Sequence, residues 1–347
     1  MNRDSLLTQL GWLALTLLLA LFLTVIVAWP AGAPPLETIY VLFKGGVSSW
    51  SKIGRVLAGW VPLTLCSVAL LIPFTARLWN IGVEGQVIMG AIFCTAALRP
   101  FEGGGGAGVI ILALAASMVG GAFWALLAGL LRVFGRVHEI FSGLGLNFVA
   151  LGVTLWLIFG PWKRPGIASM SGTKPLHVSL WLPRLGNMSV SWVGLALACA
   201  AVILVYILLH RTKWGLKMRA VGENPKAATL FSLGPRRRLL QAFMLCGGIA
   251  GLAGATQVLG VYHRLLPNIS SGYGYTALLV SMMASFRLSL VPFICLFFAV
   301  LNVGSIQLPL QLGLDSSLSG VIQGIMVLSL FIVQGLRLWL RQRKEAD

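Results

Sequence analysis

GVIILALAASMVGGAFWALLAGLL, residues Gly108–Leu131, runs for 24 residues without a charged side chain. A helix needs about 20 apolar residues to cross the hydrocarbon core of a bilayer. The stretch is long enough, and it is apolar all round, unlike the one-sided stripe of a surface helix in water. Its reading decides the fold class, because the chain repeats the pattern. Leu10–Trp29, Leu57–Thr75, Gln86–Leu98, Ile140–Trp162, Val190–Leu209, Leu239–Val261, Tyr275–Phe286, Leu290–Val303 and Leu318–Leu336 are further apolar runs. The expectation is an all-α integral membrane protein with about ten transmembrane helices. Gln86–Leu98, Tyr275–Phe286 and Leu290–Val303 are short. Short or broken segments at membrane depth occur where backbone lines a pathway buried in protein.

Composition agrees. Of 347 residues, 58% are hydrophobic and 10% charged, and mean hydropathy is +0.90. Soluble domains carry about 25% charged residues, so a water-soluble enzyme is excluded. The chain has no low-complexity run and no G-X-Y period, which excludes disordered and fibrous classes. One transmembrane domain over residues 1–347 is expected. Ala31-Gly32-Ala33 resembles a signal-peptidase site, but the run before it is long for a signal peptide. An uncleaved first span is expected.

Lys and Arg number 26 against nine Asp and Glu, a net charge of +17. Such an excess in a soluble protein suggests nucleic acid; between membrane spans it marks cytoplasmic loops. With the N-terminus inside, 17 of the 26 basic residues fall on the inner side. Eight of them lie in His210–Arg238. Both termini are therefore expected in the cytoplasm, and Lys163–Ser189 outside. Trp50–Trp60 places Trp50, Ile53, Val56, Leu57 and Trp60 near one helical face and reads as an interfacial helix. Two Gly-containing joints, Trp79–Gln86 and Asn268–Gly274, stand in corresponding places, as inverted-topology repeats require.

No catalytic constellation is visible. The five cysteines are scattered singly, and the four histidines have no metal-ligand spacing. Gly103–Gly106 lacks the Lys-Ser or Lys-Thr of a phosphate loop and reads as an external turn. No cofactor is expected in this chain, and no means of hydrolysing ATP. Among nine carboxylates only Glu84 lies close to a span's interior, thin support for an ion-driven secondary transporter. Burying that carboxylate requires donors. Backbone N–H groups of the glycine turn, or Asn80 and Gln86, are the expected ones. Gly247-x-x-x-Gly251 and Gly251-x-x-x-Ala255 let helix backbones approach closely. In the basic loop, Asn224 is placed to cap a helix with Pro225 at its first position.

Four stretches occur in one order: Asn80-Ile81-Gly82-Val83-Glu84-Gly85-Gln86, Met218–Ala228, Gly251-Leu252-Ala253-Gly254-Ala255 and Gly272-Tyr273-Gly274-Tyr275. Together they resemble a bacterial ABC-importer permease of the ribose/branched-chain amino acid superfamily, most like its nucleoside and simple-sugar branch. Glu139, Ser142 and Asn147 match a further stretch of that family. The chain departs from the family at Phe231-Ser232-Leu233-Gly234 and Met282-Met283-Ala284. The resemblance implies a permease in the inner membrane with a second permease subunit, two cytoplasmic ATPases that hydrolyse ATP, and an extracytoplasmic substrate-binding protein. It implies that residues 210–238 form the coupling loop, with Gly222, Glu223, Asn224, Pro225, Ala227 and Ala228 at the ATPase. Asn80, Glu84, Gln86, Asn147, Tyr273 and Tyr275 are the expected pathway residues. They offer amides and aromatic faces to a neutral nucleoside, or to a simple sugar.

Overall fold

Helices form every long element of the computed structural model, which describes residues 6–29, 34–164, 166, 172–312 and 317–346. In chain order they are α1 (Leu6–Ala28), α2 (Pro35–Val47), α3 (Trp50–Thr75), α4 (Val83–Leu98), α5 (Ala107–Val133) and α6 (Glu139–Phe159). There follow α7 (Trp192–His210), α8 (Lys213–Glu223), α9 (Pro225–Leu230) and α10 (Pro235–Thr256), which widens into a π-helical turn, Gln257–Tyr262. The last are α11 (Tyr273–Met283), α12 (Val291–Leu312) and α13 (Ser317–Ala346). Each expected span overlaps one of these helices. Among the described residues six helices are long and apolar enough to cross a membrane: those within Trp50–Thr75, Ala107–Val133, Glu139–Phe159, Trp192–His210, Pro235–Tyr262 and Val291–Leu308. The chain is an all-α, multi-pass membrane protein.

Three readings change. Trp50–Trp60, read as an interfacial helix leading into the second span, runs on into that span without a break as the start of α3. Leu290–Val303 is not short: α12 continues through Gly304, Ser305 and Gln307, polar and small residues that interrupt the hydropathy without breaking the helix. Helix α2 was not expected, because Glu37, Lys44 and the Gly45-Gly46 pair dilute its apolar positions. Ala31-Gly32-Ala33 lies outside the described residues.

The chain divides into two compact units, residues 1–56 with 296–347, and residues 57–295. In the first, α1 packs on α13. The backbones of α2 and α12 meet at Gly45, Gly46 and Gly304, where an added Cβ would meet main-chain atoms of the opposite helix. The second unit holds the functional residues around a core of α4, α5 and α10. These three touch backbone to backbone. A Cβ on Gly90 would collide with Gly251, one on Gly251 with the Ser117 carbonyl, and one on Gly254 with the Val87 carbonyl. The small residues of α10 thus pack its polar peptide surface out of reach of lipid. Gly251 meets Ser117 while Gly247 meets Gly121, so α5 and α10 run antiparallel. Asn80 meets Cys246 while Gly254 meets Val87 and Ala91, so α4 and α10 run parallel.

Candidate functional site

The two Gly-containing joints meet. Helix α3 stops after Pro73; Arg77 N–H and Leu78 N–H donate to the carbonyls of Phe74 and Pro73, and Arg77 takes a left-handed turn at φ 57°. The chain then re-enters as α4. Helix α4 has 16 residues and α11 has 11. At 1.5 Å per residue these span about 24 and 17 Å, less than a bilayer core. Their N-termini come together at Glu84, which is 5% exposed. The Ser270 hydroxyl donates to Glu84 Oε1 at 2.5 Å, and Gly274 N–H donates to Oε2 at 2.7 Å. A helix start carries unsatisfied N–H groups and positive potential. Glu84 of α4 satisfies the start of α11. Position 274 has to be glycine: a Cβ there would lie 2.5 Å from Glu84 Oε2.

Around this junction every amide is committed. Asn80 and Gln86 exchange hydrogen bonds, Nδ2 to Oε1 at 3.1 Å and Nε2 to Oδ1 at 3.0 Å. Asn80 Nδ2 also reaches Cys246 Sγ at 3.1 Å. Neither amide bonds Glu84, which corrects the expectation that they would supply its donors. Asn147, on α6, accepts from Gly85 N–H at 2.8 Å. Its Nδ2 donates to the Ile81 carbonyl at 3.0 Å and to the Tyr275 hydroxyl at 3.3 Å. Gly82 and Gly143 touch main chain to main chain, since a Cβ on Gly143 would lie 2.6 Å from Gly82 N. Tyr273 directs its hydroxyl at Gly59 on α3, whereas the Tyr275 side chain is exposed. The surface left open here is therefore a phenol backed by a neutral amide.

The basic loop forms α8 and α9. Asn224 Oδ1 accepts from Ala227 N–H at 3.0 Å, with Pro225 at the first position of α9, as its sequence predicts. Gly222 is buried against the end of α3, where a Cβ would lie 2.5 Å from the Thr75 carbonyl. Glu223 pairs with Arg77 at 2.7 Å. Both side chains are well exposed, and such pairs contribute about 0–1 kcal/mol. Ala228 is buried within the chain itself. Leu230 and Phe231 are instead 86% and 78% exposed.

Residues 53–331 match the family described as branched-chain amino acid transport system permease component. The chain belongs to this family. It is 31% identical to the glucose ABC transporter permease protein TsgB13 of Haloferax volcanii, over 92% of this chain and 88% of that one. It is 23% identical to the guanosine ABC transporter permease protein NupP of Bacillus subtilis, over 83% of each. It is 25% identical to the nucleoside ABC transporter permease protein NupB of Lactococcus lactis, over 76% and 75%.

In this permease the structure brings five of the six expected pathway residues to one junction: Asn80, Glu84, Gln86, Asn147 and Tyr275. Tyr273 adjoins it but faces α3. Ser270 was missed, although it lies in the Asn268–Gly274 joint; pairing the two joints would have found it. Trp124 was missed too: its Nε1 donates to the Leu146 carbonyl at 3.2 Å and steadies the turn of α6 that carries Asn147. Glu139 is buried with Oε2 2.9 Å from Arg132 Nε, an ion pair between the ends of α5 and α6. At the far end of α4 a cleft of about 540 Å³ is lined by Leu98, Arg99, Trp162, Lys163, Lys174 and His177, among others. Among the described residues no group of three His, Cys, Asp or Glu side chains could hold a metal.

Proposed function

We propose that this chain is a permease subunit of an ATP-driven importer that moves neutral nucleosides across the inner membrane. It works with a second permease, two cytoplasmic ATPases and an extracytoplasmic binding protein, and it does no covalent chemistry. Residues 1–347 act as one transmembrane domain with both termini in the cytoplasm. The 210–238 loop docks on an ATPase through the α9 surface that carries Leu230 and Phe231. The cleft beside Arg99 and Lys174 faces the delivery side.

One observation carries the choice of a neutral cargo. Broken helices commonly aim a positive N-terminus at an anionic substrate group. Here Glu84 already occupies the start of α11, with both carboxylate oxygens used. A substrate carboxylate would find that place filled. The Asn147–Tyr275 pair offers a hydroxyl and an aromatic face, which suit a ribose and a base.

A simple sugar is the second reading, favoured by the 31% identity to a permease named for glucose. Uptake of radiolabelled guanosine by cells that express the whole importer tests the choice. Competition by nucleosides and indifference to hexoses is expected; block by glucose and indifference to nucleosides moves the chain to sugars. Tyr275→Phe, which removes the hydroxyl that accepts from Asn147 and keeps the ring, should lower uptake several-fold and leave the complex assembled. Unchanged uptake would take Tyr275 out of the pathway.

A further inference from the structure

We infer that Arg77 is a positioning residue of the transport cycle: with Gly222 it fastens the end of α8 to residues 76–82, the segment that carries the Glu84 junction. The inference rests on the permease reading above.

The segment is held at both ends and along its length. At its start, Gly222 packs on the main chain of Thr75 and Ala76 with no room for a side chain, and Glu223 holds Arg77 at 2.7 Å. Within it, Leu78 and Asn80 are buried. Asn80 is tied to Gln86 and Cys246, the Ile81 carbonyl to Asn147, and Gly82 abuts Gly143. Its far end is α4, whose second residue is Glu84. A tightly packed segment without slack passes on displacement rather than absorbing it. The loop is also joined to α10, through residues 231–234 and through Trp214 Nε1, which donates to Gln241 Oε1 at 3.0 Å. Ser232 and Gly234 both take left-handed turns, and nothing lies within 4 Å of a Cβ on Gly234. Residues 76–82 run from the Gly222 contact straight to Glu84, which gives movement of α8 a direct route to the junction. The Arg77–Glu223 pair is too exposed to act chiefly as a stabiliser; beside the Gly222 contact, it sets where the end of α8 meets the segment.

The test uses the complete importer in liposomes, measuring ATP hydrolysis together with uptake of radiolabelled guanosine and of glucose. Arg77→Glu should leave the ATPases co-purifying and hydrolysing ATP while transport per ATP is largely lost. Glu223→Arg should do the same. The double variant Arg77→Glu/Glu223→Arg should recover coupling, and Arg77→Lys should retain part of it. Normal coupling in either charge reversal, or a double variant as impaired as the singles, overturns the inference; the second result would mean that Glu223 acts on the ATPase directly. A substrate-independent reporter separates this from the transport reading. Ser271→Cys in a cysteine-free background should change its maleimide reactivity when nucleotide is trapped, and Arg77→Glu should abolish that change. If wild-type vesicles transport neither compound, the nucleoside and sugar readings fail, while the reporter still decides the role of Arg77. A reporter response that survives Arg77→Glu overturns it.

Discussion

Glu84 shows how one side chain settles two helix ends. A carboxylate at membrane depth is costly unless donors surround it, and here the donors are the Ser270 hydroxyl and the Gly274 N–H. Hydrogen bonds to a charged group contribute about 1.5–3 kcal/mol, and an abandoned buried donor costs about 1–3 kcal/mol. Glu84→Ala should therefore lower the stability of the purified complex by several kcal/mol, read as a fall in its thermal midpoint. Glu84→Gln should lower it less, because an amide oxygen still accepts. Equal midpoints for the two variants would show that the α11 start does not depend on Glu84. His263 is a second residue whose environment has a measurable consequence. It follows the π-helical turn, stacks on Trp181 at 3.7 Å, and is mostly buried. Its Nδ1 lies 3.1 Å from the Leu259 carbonyl, and its Nε2 3.4 Å from Arg184 Nη2, so the neutral ring fits with Nδ1 donating and Nε2 accepting. Burial first, and the Arg184 guanidinium second, pull its pKa down from 6.5 to about 4. An unfolded chain takes up this proton near 6.5 and the folded one near 4. Stability from this group is therefore full above about pH 6.5, falls as pH drops through the window, and levels off below about 4. His263→Asn should flatten that part of the midpoint-versus-pH curve. A curve as steep in the variant as in the wild type would assign the dependence to other groups.

At the scale of elements, the core trio depends on glycines that allow peptide planes of α4, α5 and α10 to touch. Overfilling a packed interior costs about 1–3 kcal/mol when side chains can give way. Here the opposing atoms are backbone, which cannot. Gly251→Val should prevent recovery of folded permease from membranes, whereas Gly234→Asn, at an open left-handed turn, should be tolerated. Size-exclusion profiles of the two variants in detergent check this, and a monodisperse Gly251→Val protein would contradict the packing argument. The same helices show what was legible beforehand. Period and length revealed the spans, and the Gly-x-x-x-Gly spacing of α10 pointed to close packing. The Asn224-Pro225 pair placed the start of α9 because capping is local. Helix α2 and the second half of α12 escaped, since their glycines and polar residues pack against helices distant in sequence. The partner of Glu84 escaped for the same reason: Ser270 lies 186 positions away, and no local rule connects them.

For the whole molecule the consequence is an orientation in the membrane. Helices α4 and α10 run parallel, and α5 runs opposite to both. The ten-span topology sends residues 86–98 and 239–261 outward and 108–131 inward, which has the same relative sense. Relative direction does not choose which side faces the cytoplasm; the proposed orientation rests on the basic residues. Eight lie in 210–238, the loop that carries α8 and α9. With that loop inside, the cleft beside Lys174, which pairs with Glu102 at 3.2 Å, faces outward. Two single cysteines in a cysteine-free background separate the orientations, one from Ser232→Cys and one from Val178→Cys. Both native side chains are exposed, so neither change disturbs packing. An impermeant maleimide added to intact cells should label the variant at position 178 and spare the one at 232 until the membrane is opened. Labelling at 232 from outside would invert the topology. It would put the proposed ATPase-docking surface on the wrong side of the membrane, and with it the route through Arg77 by which ATP is proposed to drive this permease.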